Sequence, residues 1–270
     1  MRIRPLVLGL LALGLAAAPP AFRKAGKGPG ILLIHGFGGN KEVWEGAVSD
    51  LARDHTVLAV DLPGSGGTPG PPLLEGRADF GALGRELATL VRREGLAPCL
   101  LVGHSMGGPI GAHAMLADPS AFRGLLLVDS FLTAIPEPFL EPTRLALSHE
   151  PGPALRTFFG FMAKGEAQTD RVAAEAVKIQ PQALISYLNA LGRDGLAGRR
   201  AQLRLPVLQL ASGPRDPDPA RAEAALEPFG FKELPAFRVV HFPRSRHWIM
   251  WDEPEAFLLA LRAFEAGLGR

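Results

Sequence analysis

Cysteine is almost absent from this 270-residue chain, and neither sign of charge predominates in it. The one cysteine, Cys99, stands at the start of an apolar run, so no intramolecular disulfide can form and a small buried side chain is expected there. Arg2 and Arg4 account for the formal net charge of +2, and the remaining basic and acidic side chains are equal in number. A neutral body lacks the basic surface that binds a polyanion, so nucleic acid is not an expected partner.

The N-terminal apolar run, residues 6–18, is shorter than the roughly 20 residues that a membrane-spanning helix needs. It follows the basic segment Met1-Arg2-Ile3-Arg4 and ends in Ala16-Ala17-Ala18, the small residues that a signal peptidase requires, although Pro19 disfavours a cut directly before it. These features predict a signal peptide over residues 1–21 and export to the periplasm or the extracellular space. The alternative is an uncleaved leader that anchors the protein, and only in that case is a membrane an expected partner.

Beyond the leader, apolar runs alternate with helical patterns, which predicts an α/β fold with a mostly parallel central sheet flanked by helices. The apolar content of 47% and the charged content of 21% are typical of a soluble globular protein, and the length suits one domain with an insertion. Residues 131–204 contain no strand-like run and several short helical stretches broken by prolines. They are predicted to form an inserted helical cap, with the core made of residues 22–130 and 205–270.

Local signals predict where several elements begin and end. Asn40 and Asp79 each precede a helical pattern and are expected to cap it, and Gly95 is expected to close the second of these helices. One short strand is expected near residues 22–24, because too few residues precede the first central strand for a full hairpin. The last helix is expected over residues 254–268.

The segment Gly103-His104-Ser105-Met106-Gly107-Gly108 lies between an apolar strand and a helical pattern. A serine in so tight a turn takes a positive φ, at a cost of about 1 to 3 kcal/mol, and its hydroxyl then stands clear of the sheet. Its neighbours two positions away must be small, because a Cβ there would force the strand and the helix apart. Ser105 is therefore predicted to be an exposed nucleophile.

A serine hydroxyl needs a base to take its proton, and the base needs an acid that fixes its tautomer. Downstream, the strand predicted at residues 206–210 is followed by Asp216, and the strand predicted at 237–240 is followed by His247. Both residues fall in loops after the carboxyl ends of strands, where parallel sheets place their sites. His241, at a strand end, is expected to be structural.

The chain resembles the α/β-hydrolase superfamily, nearest to its esterase and lipase-like branch with a helical cap. The resemblance covers residues 31–268 and keeps the order Ser, Asp, His. The matching segments are His35-Gly36-Phe37, Asp61-Leu62-Pro63-Gly64-Ser65-Gly66, the segment around Ser105, Gly213-Pro214-Arg215-Asp216, and His247 followed by Glu253-Pro254.

The resemblance implies a role for each candidate site residue. Ser105 would be the nucleophile, His247 the general base and then acid, and Asp216 the orienting carboxylate. The backbone N–H groups of Phe37 and Met106 would form the oxyanion hole. Asp129 is the alternative acid, because some family members carry the acid after the strand that follows the nucleophile helix.

The same resemblance implies a serine hydrolase that cleaves carboxylic esters with an apolar part. The haloalkane dehalogenases and epoxide hydrolases of this fold use an aspartate nucleophile, so a serine argues against those chemistries. The His-Gly loop lacks the His-Gly-Gly-Pro-Gly sequence of proline iminopeptidases. Two alternatives remain: the same triad acting as a carbon-carbon bond hydrolase or cofactor-free perhydrolase, and a non-catalytic binding protein. The histidines His55, His113 and His149 show no metal-ligand spacing, so neither a metal nor another cofactor is expected. The aromatic cluster Phe158-Phe159-Gly160-Phe161-Met162 is expected to be cap core or to line an acyl pocket.

Overall fold

The computed structural model describes residues 20–71, 73–193 and 195–268, and its centre is a seven-stranded sheet. The order of strands across the sheet is β1-β3-β2-β6-β7-β8-β9, and β4 and β5 form a separate small hairpin. All pairs in the sheet are parallel except the first, in which β1 runs antiparallel to β3. The strands are β1 (Phe22–Ala25), β2 (Gly30–Ile34), β3 (Thr56–Val60), β4 (Leu73–Leu74), β5 (Arg77–Ala78), β6 (Cys99–His104), β7 (Phe122–Val128), β8 (Val207–Ser212) and β9 (Phe237–Phe242).

Helices connect the strands and cover the sheet. They are α1 (Glu45–Leu51), α2 (Phe80–Arg93), α3 (Gly107–Ala117), α4 (Glu137–Leu147), α5 (Pro151–Gly160), α6 (Glu166–Ala176), α7 (Pro181–Leu191), α8 (Pro219–Ala224), α9 (Ile249–Asp252) and α10 (Pro254–Ala266). A short 3-10 helix, Lys41–Trp44, precedes α1. In the described part of the chain, no helix is long and apolar enough to cross a membrane.

The central strands β2 and β6 are buried along their whole length. Their continuous Ile, Leu and Val runs give no polar face, which is typical of strands covered by helices on both sides. The mostly parallel sheet between helix layers is the α/β architecture that the sequence predicts. The carboxyl ends of the parallel strands therefore meet at one edge, where the site is expected.

The predicted caps are present at both helix starts. The Asn40 side chain accepts a hydrogen bond from the Glu42 N–H at 2.9 Å, and the Asp79 side chain accepts one from Ala82 at 3.0 Å. Gly95, just after α2, has a φ of +70°, the left-handed conformation that ends helices. The single short strand expected near residues 22–24 is β1.

Four helices, α4 to α7, fill the segment between β7 and β8 for which the sequence predicts a helical cap. Two hydrogen bonds join them to loops of the core: in a buried contact the Tyr187 hydroxyl donates to the Pro63 carbonyl at 2.8 Å, and in a partly buried one the Asn40 amide donates to Glu175 at 3.0 Å. The predicted signal peptide lies almost wholly outside the described residues, which begin at residue 20.

Candidate active site

Ser105 lies in the turn between β6 and α3 and has a φ of +50°. This is the left-handed backbone predicted for an exposed serine between a strand and a helix. The turn is held from both sides, because the Ser105 N–H donates to the Val128 carbonyl at 3.0 Å and the Gly108 N–H donates to the Ser105 carbonyl at 2.9 Å. The strained conformation is thus fixed by backbone hydrogen bonds.

The glycines around Ser105 are required by close packing. A Cβ on Gly103 would lie 2.6 Å from the Gly107 carbonyl oxygen, and one on Gly107 would lie 2.5 Å from the carbonyl oxygen of Ile34. A Cβ on Gly108 would lie 2.0 Å from the Ser130 hydroxyl oxygen. The first two contacts are with backbone, which has no freedom to move aside, so the turn admits only glycine at these two positions.

His247 follows β9, and its Nδ1 lies 2.7 Å from Oδ2 of Asp129. Asp129 directly follows β7 and has a φ of +44°, and its Oδ1 accepts a hydrogen bond from the Ser212 N–H at 2.9 Å. Because a carboxylate only accepts hydrogen bonds, the His247 proton sits on Nδ1 and leaves Nε2 as a free base. The pair therefore has the tautomer that a general base needs.

The structure corrects the assignment of the acid. Asp216 lies four residues beyond the end of β8, and its Oδ2 pairs with Nε of Arg221 at 3.2 Å. Its Oδ1 accepts from the Asp218 N–H at 2.8 Å, so it closes a local turn, and 36% of its side chain is exposed. The sequence favoured Asp216 over Asp129, and that preference is wrong for the carboxylate that contacts His247.

The Asp129 carboxyl is largely buried, with 22% of its side chain exposed. Burial raises its pKa, but the hydrogen bond and charge of His247 and the hydrogen bonds from Ser212 lower it by more, so the net pKa lies below the ordinary value for aspartate. Asp129 is therefore ionised at neutral pH and can stabilise an imidazolium on His247.

Two other histidines support the site while staying neutral. The ring of His104 lies 4.6 Å from that of His247, and its Nε2 donates to the His247 carbonyl at 3.0 Å. Burial, with the nearby His247, lowers the His104 pKa well below 6.5. His35 accepts the Leu62 N–H on Nε2 at 2.9 Å and donates from Nδ1 to the Gly36 carbonyl at 2.8 Å. Burial lowers its pKa too.

The Asp61 motif that the sequence matched to the family has a structural role. The buried Asp61 carboxylate accepts from the Lys41 N–H and from Lys41 Nζ, each at 2.7 Å. Gly66 has a φ of +57°, and a Cβ there would lie 2.1 Å from Asp61 Oδ2. The motif therefore joins the loop after β3 to the start of the Lys41–Trp44 helix, beside the loop that carries Phe37.

The N–H groups of Phe37 and Met106 are at the ends of β2 and β6, beside Ser105. Phe37 lies in the loop after β2, and Met106 is the residue before α3. As the N-cap of that helix, Met106 carries one of the N-terminal N–H groups that have no partner within the helix, at the positive end of the helix dipole. Both residues are buried, so these N–H groups are shielded from bulk water.

One cavity of about 480 Å³ reaches Ser105, Asp129 and His247 together. Its walls are mainly apolar, and the segment between α4 and α7 contributes Phe158, Phe159 and Met162 to them. The aromatic cluster thus faces the cavity, although Phe161 of the same cluster is 75% exposed. The arrangement places a serine, a base and a carboxylate in contact with the same apolar space.

The loop of His247 is hydrogen-bonded to the residues that follow α5, which ends at Gly160. The His247 N–H donates to the Met162 carbonyl at 3.2 Å, Arg246 donates to the Phe161 carbonyl at 2.5 Å, and Lys164 donates to the Arg244 carbonyl at 3.0 Å. The segment after α5 and the loop of His247 are therefore joined by three hydrogen bonds over a short stretch of chain.

Sequence reasoning missed two polar residues beside the site. The Ser130 hydroxyl donates to the Ser105 carbonyl at 2.6 Å, and the Gln209 side chain donates from Nε2 to the Ser130 carbonyl at 3.3 Å. Ser130 directly follows Asp129, and Gln209 is a polar residue within a buried strand, which is the signal that would have identified it.

A family model described as the alpha/beta hydrolase family matches residues 31–260. Among curated proteins, the chain is similar to a pimeloyl-[acyl-carrier protein] methyl ester esterase of Vibrio campbellii. The two are 28% identical over 256 residues, which cover 89% of this chain and 96% of the relative.

Solved structures show the same fold. An esterase from Thermogutta terrifontis with malate bound superposes with a TM-score of 0.77 at 20% identity, over 93% of this chain and 94% of that one. A hydrolase from Oleispira antarctica superposes with a TM-score of 0.78 at 14% identity, over 91% of this chain and 94% of that one.

Proposed function

The chain belongs to the alpha/beta hydrolase family, and we propose that it is a serine hydrolase that cleaves carboxylic esters through an acyl-enzyme. The observation that carries the proposal is the contact between His247 Nδ1 and Asp129 at 2.7 Å, beside a serine in left-handed backbone on the same cavity. The similarity to methyl ester esterases over most of the chain supports an ester as the substrate.

In the first half of the proposed reaction, Ser105 Oγ attacks the ester carbonyl carbon while its proton passes to His247 Nε2. Asp129 stabilises the imidazolium that forms. The carbonyl oxygen becomes an oxyanion and accepts hydrogen bonds from the N–H groups of Phe37 and Met106. The intermediate then expels the alcohol, whose oxygen takes the proton from His247.

In the second half, water attacks the acyl group on Ser105, and His247 acts first as base and then as acid. The carboxylic acid leaves and the serine is restored. His104 and His35 remain neutral because burial lowers their pKa, so neither adds a positive charge that would compete with the imidazolium of His247.

The apolar walls supply the binding energy for an ester with an apolar part. Burying one methylene group contributes about 0.8 kcal/mol, so each carbon that the cavity accommodates tightens binding several-fold. We propose that α4 to α7 form the cap that closes this cavity, since Phe158, Phe159 and Met162 line it.

Turnover of nitrophenyl esters of graded acyl length tests the proposed function. The wild type is expected to release nitrophenol, with kcat/KM rising with acyl length until the cavity is filled. Ser105→Ala is expected to abolish the reaction while retaining the melting temperature. Wild-type turnover of diketones or formation of peracids, without turnover of any ester, would instead favour the carbon-carbon hydrolase or perhydrolase alternative.

A further inference from the structure

The cavity beside Ser105 contains a buried hydrogen-bond acceptor that no described residue satisfies. Gln209 lies in β8, is 4% exposed and lines the cavity. Its Nε2 donates to the Ser130 carbonyl at 3.3 Å, but its Oε1 has no hydrogen-bond partner among the described residues. An unpaired buried acceptor costs about 1 to 3 kcal/mol, which favours a partner that arrives from outside the chain.

Rotating the amide does not remove the unpaired acceptor. Exchanging the two amide atoms of Gln209 would place Oε1 against the Ser130 carbonyl oxygen, and two acceptors facing each other repel. The orientation in which Nε2 meets Ser130 is therefore fixed by the neighbouring backbone. In this orientation, Oε1 is the amide atom that is free to accept a hydrogen bond from a ligand.

His241 adds a second polar atom on the same side of the sheet. The register pairs Ala211 with His241 and Gln209 with Val239, so the side chains of Gln209 and His241 point to one face. Nδ1 of His241 is buried without a hydrogen-bond partner among the described residues, and the residue lines the same cavity. Burial and the charge of Arg215 lower its pKa, which keeps the ring neutral at pH 7.

We propose that Gln209 and His241 form a polar subsite that recognises a neutral hydroxyl group of the substrate, at a distance from its ester bond. A hydroxyl donates a hydrogen bond to Gln209 Oε1, and its oxygen can accept one from an imidazole N–H. A carboxylate has no proton to donate to Oε1, and a cation would be repelled by the nearby positive charge of Arg215. The inference rests on the proposed function, because it takes the cavity to be the place where the ester binds.

The register gives the scale of such a substrate. Leu127 of β7 pairs with Gly103 on one side and Gln209 on the other, so two strand spacings of about 4.8 Å each, or about 10 Å, separate β6 from β8. Ser105 lies two residues beyond Gly103. A hydroxyl several carbons from the reacting carbonyl therefore reaches Gln209, whereas one on the adjacent carbon does not.

Matched pairs of esters test the subsite. The pairs are methyl ω-hydroxyhexanoate against methyl hexanoate, and ω-hydroxybutyl butanoate against butyl butanoate, so that the hydroxyl is offered on the acyl side and on the alcohol side. In the wild type, kcat/KM is expected to be about tenfold higher for the hydroxyl member of at least one pair, the gain from one well-placed hydrogen bond. In Gln209→Met, which has similar size but no acceptor, that preference is expected to disappear.

Ser130→Ala is the matched control. It removes the hydroxyl that holds the Ser105 carbonyl but leaves the backbone carbonyl that Gln209 contacts. It is expected to lower kcat for both members of a pair equally and to keep the hydroxyl preference. The subsite would be contradicted if the wild type showed no preference for the hydroxyl esters, or if Gln209→Met lowered kcat/KM for both members of a pair by the same factor. In either case Gln209 would only support Ser130.

Binding separates a failure of the subsite from a failure of the proposed function. If the wild type hydrolyses none of the four esters, the ester hydrolase proposal is wrong for these substrates. The four esters are then titrated by calorimetry into Ser105→Ala, which needs no turnover. The subsite is supported if the hydroxyl member of a pair binds Ser105→Ala more tightly than its partner and this difference disappears in the double variant with Gln209→Met. Equal binding of the two members in both pairs would contradict the subsite.

Discussion

Asp129 Oδ2 lies 2.7 Å from Nδ1 of His247, and Asp216 pairs instead with Arg221. This contact predicts that Asp129→Asn lowers kcat by orders of magnitude, because an amide can present its NH₂ to Nδ1 and stabilise the wrong tautomer. In serine proteases, where the comparable change has been characterised, the loss is about four decades. Turnover of a nitrophenyl ester, with the melting temperature of each variant, measures the effect.

Asp216→Asn is the control for that experiment, because it changes the same chemical group on the same edge of the sheet. It is expected to keep most of the wild-type kcat, since the side chain closes a turn and forms a partly exposed ion pair worth at most about 1 kcal/mol. If Asp216→Asn were inactive and Asp129→Asn active, the pairing of Asp129 with His247 would not be the catalytic one.

A fluorophosphonate is expected to phosphonylate Ser105 and no other serine. The reagent needs a serine activated by a base, and the His247–Asp129 pair supplies one at the cavity that Ser105 lines. Peptide mass spectrometry locates the adduct, and Ser105→Ala is expected to show neither labelling nor esterase activity. The Ser130→Ala variant, which changes a serine after the neighbouring strand β7, is expected to be labelled at Ser105 as well. An adduct on any other serine would contradict the assignment of the nucleophile.

Gly103→Ala is expected to destabilise the protein by more than about 1 to 3 kcal/mol, the usual cost of overpacking, because the added Cβ meets the backbone of Gly107. Gly46→Ala in α1 is the matched control. A Cβ at Gly46 has no atom within 4 Å, so unfolding free energy is expected to be unchanged or slightly raised. Urea denaturation of both variants measures the difference, and equal stability of the two would contradict the packing argument.

The protein is expected to lose stability as the pH falls below about 6.5. His35 and His104 have a lowered pKa when folded, so the unfolded chain binds protons at these residues at a pH where the folded chain does not. For each such proton, the free energy of unfolding then falls by up to about 1.4 kcal/mol per unit decrease in pH. Urea denaturation between pH 7.5 and pH 5 measures the slope.

His104→Gln is the comparison for the pH experiment, since its amide can still donate to the His247 carbonyl. The free energy of unfolding of the variant is expected to fall less steeply with decreasing pH than that of the wild type. The difference in slope corresponds to about one proton bound on unfolding. Identical slopes in the two proteins would mean that His104 is not held neutral in the folded state.

Much of this fold could be predicted from the sequence because its signals are local. The continuous apolar runs of β2 and β6 indicate buried parallel strands, and Asn40 and Asp79 mark helix starts by their own hydrogen bonds. The conformation of Ser105 follows from the glycines on either side of it. Each of these needs only a few neighbouring residues.

The acid could not be assigned in the same way because it depends on distant parts of the chain. Asp129 and Asp216 both follow strands that end on the same edge, and His247 reaches this edge in a loop that crosses back from β9. Strand order decides between them, since β7 lies next to β6 and Asp129 leaves it without an intervening residue. Asp216 is four residues further along its own loop, where Arg221 neutralises it.

Because of its left-handed backbone, Ser105 is a position where thermal stability and catalytic activity favour different residues. Glycine adopts a φ of +50° without the steric cost that a Cβ incurs, and the strain relieved exceeds the extra freedom that glycine gives to the unfolded chain. If variants are selected only for folding at high temperature, glycine is therefore expected to become frequent at position 105. The resulting proteins would withstand higher temperatures and no longer have the hydroxyl on which the proposed chemistry depends.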